Sequence, residues 1–158
     1  MTSAMVTAQE QLRSMLREDV APILRAAGFR GTERTFVFPD ADWFAQVGIQ
    51  TSTASTSSRS RLTINAQVIP KAFWNQVRAE RNYPAKPSPN VGYGRIGEFW
   101  EVRAGQLIDG QDRWWSLDAS GRGRRELAVE IADLIVDVVL PAMQLCMATG
   151  DLTEPGNT

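Results

Sequence analysis

The chain has 158 residues, 43% apolar and 22% charged, with 17 basic against 18 acidic side chains and no histidine. That is one domain's worth of chain, with enough apolar residue for a packed core. The near-neutral balance lacks the basic excess of a general nucleic-acid binder, and the missing histidine excludes Ser-His-Asp triads, Cys-His pairs and His-ligated metals.

The first element is a helix. Thr7 followed by Glu10 fits a capping box, and Leu12, Met15, Leu16, Val20, Ile23, Leu24 and Ala27 recur at helical spacing, with Gly28 as the stop. Pro22 inside this pattern predicts a kink or break near Asp19. Three strands follow, Arg34–Phe38, Trp43–Gln50 and Arg61–Ile69. The last two alternate apolar and polar residues with a period of two. The Ser/Thr-rich stretch Thr51–Ser60 joins them as a mobile hairpin tip or as an extension of both strands.

Lys71–Arg81 reads as a short helix with Phe73, Trp74 and Val77 on one face, and Tyr83–Asn90, with three prolines, as an extended loop. Two further strands, Arg95–Val102 and Arg113–Asp118, are joined around Asp109-Gly110. Gly-rich Ser120–Arg124 leads into a last helix over Arg125–Ala148, which Pro141 should kink. The predicted organisation is a disordered N-terminus over residues 1–6, one domain over 7–148 and a flexible tail over 149–158. The predicted fold is α+β: an antiparallel sheet of about five strands with the N- and C-terminal helices on one face.

Cys146, the one cysteine, lies in an apolar run and reads as a buried thiol. The N-terminus has neither the basic nor the apolar region of a secretory signal. Glu130, Asp133 and Asp137 interrupt the most apolar stretch, Leu127–Met147, which argues against a membrane span. A soluble cytoplasmic protein is expected. Only Lys71 and Lys86 are lysines, a bias that a GC-rich genome explains.

The runs LRAAGFR (Leu24–Arg30), RTFVF, VGIQTS, RLTINAQV, RIGEF, RWWSLD and VLPAM resemble the bacterial family called domain of unknown function 4304, over Leu12 to Met143. The resemblance implies a small cytoplasmic α+β domain and supplies no activity, cofactor or catalytic residue. Some such domains are similar to immunity proteins of toxin systems. The Ser/Thr-rich loop and the SGRGRR turn depart from the family's pattern.

Several groupings are candidates for function. GYGRIG (Gly92–Gly97) matches G-x-G-x-x-G but lacks the preceding strand and following helix of a dinucleotide site, so it reads as a turn. Glu126, Glu130, Asp133 and Asp137 form one stripe of the last helix, an ordinary solvated face rather than a metal site. Arg122, Arg124 and Arg125 crowd that helix's N-terminus, where an anion would relieve their opposition to the dipole. In the sheet, Gln46, Gln50, Thr63, Asn65 and Gln67 fall opposite the apolar residues, joined by Trp100 or Trp114, and an open face of amides plus tryptophan suits a protein partner.

The first functional expectation is thus a non-catalytic domain binding a protein partner through that face, at Gln46, Gln50, Thr63, Asn65, Gln67 and Trp114, in an immunity- or antitoxin-like role by family analogy. The alternative is a module or enzyme that binds a phosphorylated small molecule at Arg122, Arg124 and Arg125. Neither implies a cofactor, a metal, a membrane or nucleic acid, and the oligomeric state stays open.

Overall fold

The computed structural model describes residues 6–155; residues 1–5 and 156–158, parts of the predicted disordered N-terminus and flexible tail, lie outside them. Helix α1 (Ala8–Ser14) opens with the predicted capping box: Thr7 Oγ1 accepts from the Glu10 N–H, and the Glu10 carboxylate accepts from the Thr7 N–H. A π-helical turn over Met15–Val20 then leads into α2 (Ala21–Ala26). Gly28, at φ 108°, provides the predicted stop.

Pro22 does not break this helix. A proline ring collides with the carbonyl four residues back, here that of Glu18, and has no N–H to donate to it. The π turn widens the helix one residue earlier, so that the Ala21 N–H bonds to the Leu16 carbonyl. The same device recurs at the other end of the chain. Between α5 (Arg124–Leu134) and α6 (Leu140–Thr149), a π turn over Ile135–Val139 precedes Pro141, and the Leu140 N–H bonds to the Ile135 carbonyl.

The antiparallel sheet predicted at about five strands has six, the sixth being the two-residue edge strand β1: β1 (Arg30–Gly31), β2 (Thr35–Phe38), β3 (Trp43–Thr51), β4 (Arg59–Pro70), β5 (Trp100–Arg103) and β6 (Trp115–Asp118). All pairings are antiparallel, in the order β1-β2-β3-β4-β5, and β6 shares the outer edge of β4 with β5. The Ser/Thr-rich stretch partly extends the β3–β4 hairpin, with Thr51 paired to Leu62. The strand predicted at Arg95 begins only at Trp100, because residues 95–99 turn: the Glu98 and Phe99 N–H groups both bond to the Arg95 carbonyl, and Gly97 has φ 83°. The turn predicted around Asp109-Gly110 is preceded by a short helix, α4 (Ala104–Ile108).

Register decides what each face carries. Ala45 lies opposite Val68, Val47 opposite Ala66 and Ile49 opposite Ile64, so one face is apolar. It packs on the two long helical rods through Leu12, Leu16, Leu24, Ile131, Ile135 and Met143, all fully buried. The N- and C-terminal helices therefore cover one face, as predicted. The last rod, Arg124–Thr149, is long and apolar enough to cross a membrane by length and composition, and its apolar stripe is the one that packs on this face.

The second face is also covered. Helix α3 (Lys71–Arg81), at its predicted bounds, lays Trp74 and Val77 on Ile69 and Phe99 in a satellite core. Tyr83 stacks on Trp74 with centroids 5.0 Å apart, and Tyr93 meets Trp74 edge-on at the same distance. These rings fasten both ends of the loop over residues 82–99, which crosses the second face.

Candidate functional site

The cross-strand row Arg30, Val37, Gln46, Gln67 and Glu101 runs over the second face from β1 to β5. The Pro-rich loop lies across its middle. Gln46 Nε2 donates to the Pro87 carbonyl and Gln67 Nε2 to the Ser88 carbonyl, both at 3.0 Å. Asn90 Oδ1 accepts from Asn65 Nδ2 at 3.0 Å, and Asn90 Nδ2 donates to the Ile49 carbonyl.

The face is therefore not the open amide surface that alternation predicts. Gln46 is 5% exposed, and Thr63 and Gln67 are fully buried. Thr63 spends its hydroxyl on the Arg113 carbonyl at 2.7 Å. These three residues hold loop backbone groups that would otherwise be buried without partners, and they are out of a partner's reach. Trp100 points into the main core at 2% exposure. Of the predicted surface, Gln50, Asn65 and Trp114 remain accessible in part.

Gln50 and Asn65 line a polar cleft of about 550 Å³ between the loop and β5, together with Asn90, Glu101, Arg103 and Asp112. Gln50 Oε1 accepts from Asn65 Nδ2 at 2.9 Å. Glu101 accepts from the Tyr93 N–H at 3.2 Å and from Gln67 Nε2 at 3.2 Å. Its carboxyl is held above the usual carboxylate range, chiefly because partial burial removes water from the charge; the nearby Glu154 adds to this and the hydrogen bonds oppose it.

Trp114 stands at the rim. The Arg61 guanidinium lies 5.5 Å from its ring centroid and that of Arg103 5.3 Å. Asp112 Oδ2 accepts from both Trp114 Nε1 at 3.0 Å and Arg103 Nη1 at 2.8 Å. An indole fixed at its N–H and flanked by two guanidinium groups has little freedom left to lose.

The arginine turn is a different matter. Arg124 donates from Nε to Asp19 Oδ2 at 2.7 Å and from Nη2 to Glu18 Oε2 at 2.5 Å, joining the last helix to the first π turn. Its pKa is raised further, first by the hydrogen bond to Asp19. The groove beside it is lined by Glu18, Asp19 and Glu126 as well as Arg124 and Arg125. Arg122 and Arg125 are exposed. The three arginines thus do not converge on an anion. The carboxylate stripe Glu126, Glu130, Asp133 and Asp137 faces solvent, and among the described residues there is no group of acidic or cysteine side chains fit to hold a metal.

Sequence reasoning missed Asn90, Glu101, Arg103 and Asp112. Their one signal was the density of prolines at Tyr83–Asn90, which marks a rigid loop but not where it lies.

Residues 20–145 match the family model "Domain of unknown function (DUF4304)". The chain belongs to this family. No curated protein and no solved structure matches it.

Proposed function

We propose that this DUF4304 domain is a non-catalytic interaction module of the bacterial cytoplasm that binds a protein partner over the cleft beside β5. Gln50, Asn65, Arg103 and Trp114 are its contact residues. The observation that carries the reading is the half-buried Trp114 held between Arg61 and Arg103 at the cleft's rim. Tryptophan and arginine are the residue types that dominate interface energetics, most of all when they are already ordered before binding. The amides of Gln50, Asn65 and Asn90 beside them supply donors and acceptors without a fixed charge. An immunity-like role is the version that the family resemblance suggests.

The test is affinity capture with the tagged full chain, followed by reconstitution with the purified captured protein. Trp114→Ala should weaken that complex by about a hundredfold or more, as expected of a hot-spot aromatic, and should leave the thermal midpoint within a few degrees of the parent. A complex indifferent to both Trp114→Ala and Gln50→Ala/Asn65→Ala would overturn the reading.

A further inference from the structure

The loop over residues 82–99 leaves a second concavity on its other side, toward β1 and β2. It has a volume of about 240 Å³, and the chain's only two lysines, Lys71 and Lys86, both line it together with Arg30. The three cations come from separate elements: Arg30 from the edge strand β1, Lys71 from the first turn of α3 and Lys86 from the Pro-rich loop. None of them forms an ion pair with a described carboxylate. Lys71 Nζ is placed by the Asp40 carbonyl at 2.6 Å and lies 5.5 Å from the Phe44 ring centroid. The one carboxylate lining the pocket, Asp40, accepts from the backbone N–H groups of Asp42 at 2.8 Å and Trp43 at 3.1 Å. Three cations and one carboxylate leave a local excess of two positive charges. Phe44, on the same face as Gln46, provides the aromatic wall, while the side chain of Trp43, one residue back in β3, packs on the main core across the sheet.

We infer that this pocket binds a phosphate monoester carried on a single planar ring. A phosphate monoester carries about −1.5 to −2 charge at neutral pH, which matches the excess. Lysine ammonium groups serve phosphate as point charges, and the N-terminal end of α3 contributes the same sign. The Phe44 side chain takes the ring. The volume lies below the ~300–1,000 Å³ of ordinary ligand pockets, so it admits one ring and its phosphate and excludes a dinucleotide. The site is separate from the β5 cleft and from the arginine turn, and stands or falls independently of the partner reading.

Calorimetric titration of the full chain with phenyl phosphate tests it, with uridine monophosphate, whose base is held away from the phosphate by a ribose, as the control. Saturable binding of phenyl phosphate is expected, at least about tenfold tighter than that of inorganic phosphate and of the nucleotide. Lys86→Gln, at an exposed position whose side chain has no hydrogen bond or ion pair among the described residues, should weaken binding about tenfold without moving the unliganded thermal midpoint. Lys71→Gln/Lys86→Gln should remove binding, and Arg122→Gln/Arg125→Gln should leave it unchanged. No saturable binding of phenyl phosphate, affinity unchanged by Lys86→Gln, or inorganic phosphate or the nucleotide binding as tightly would overturn the inference.

Discussion

Asn90 rests on the sheet at the place where Gly48 has no side chain: a β-carbon at Gly48 would stand 2.2 Å from Asn90 Oδ1 and 2.9 Å from Pro89 Cγ. Gly48 pairs with Asn65, whose amide donates to the same Asn90 oxygen. One missing side chain in β3 thus seats the loop that divides the second face into two concavities.

Gly48→Ala should therefore act on the loop rather than on the strand. Overpacking of this kind costs about 1–3 kcal/mol, so chemical denaturation should show a loss in that range. Hydrogen exchange should show faster exchange over residues 86–92 with β3 and β4 unaffected. A stability equal to the parent's would mean that the loop shifts aside freely.

The link between Arg124 and the first π turn joins the two halves of the helical layer. Hydrogen bonds to charged groups contribute about 1.5–3 kcal/mol when partly buried, and Asp19 is left without this partner when Arg124 is removed. Arg124→Ala should lower unfolding free energy by about 1–2 kcal/mol, discounted for the exposure of Glu18. Arg122→Ala, at an exposed neighbour, should change it by less than about 0.5 kcal/mol. A double-mutant cycle with Asp19→Ala measures the coupling directly, and a coupling near zero would count the pair as decorative.

Glu101 makes a pH-dependent contribution whose sign follows from its raised pKa. The native state favours the protonated carboxyl more than the unfolded chain does. Its contribution is thus fully present below the ordinary carboxylate value and is lost as pH rises through the raised native value. Glu101→Gln removes the charge and keeps an acceptor for the Tyr93 N–H. The stability of this variant relative to the parent should increase between pH 4 and pH 7. Urea unfolding at four or five pH values gives the slope, and a slope of the opposite sign would show that the hydrogen bonds to Glu101 outweigh its desolvation.

Cys146 is buried in the main core, and burial, assisted by Asp151, raises its thiol pKa to about 11. At pH 8 only about a thousandth of it is thiolate, against a quarter or so for a free thiol. Native protein should react with a thiol reagent at least about a hundredfold more slowly than protein in denaturant. Comparable rates would mean that α6 opens readily.

The helices were legible because their signals are local. The Thr7 and Glu10 capping box, the Gly28 stop and the α3 span from Lys71 to Arg81 depend on residues within a turn or two of each other, and each stands where the sequence puts it. Pro22 and Pro141 marked the right places, but a residue pattern does not reveal that a π turn precedes each proline and lets the helix continue. The strand expected at Arg95 was shortened by the turn at Gly97, whose left-handed backbone outweighs a run of extended-favouring side chains.

The sequence by itself determined the fold class, the family and the two faces of the sheet, because alternation along β3 and β4 sorts Val47, Ile49 and Ile64 from Gln46, Gln50 and Thr63 whatever covers them. Only the tertiary structure decided what the polar face is for. Alternation reports which side chains share a side, not whether that side meets water. Gln46 and Gln67 are polar because the Pro87 and Ser88 carbonyls of the loop over residues 82–99 are buried against them, and Thr63 because the Arg113 carbonyl of a second loop is; the two concavities exist only because the loop over residues 82–99 lies between them.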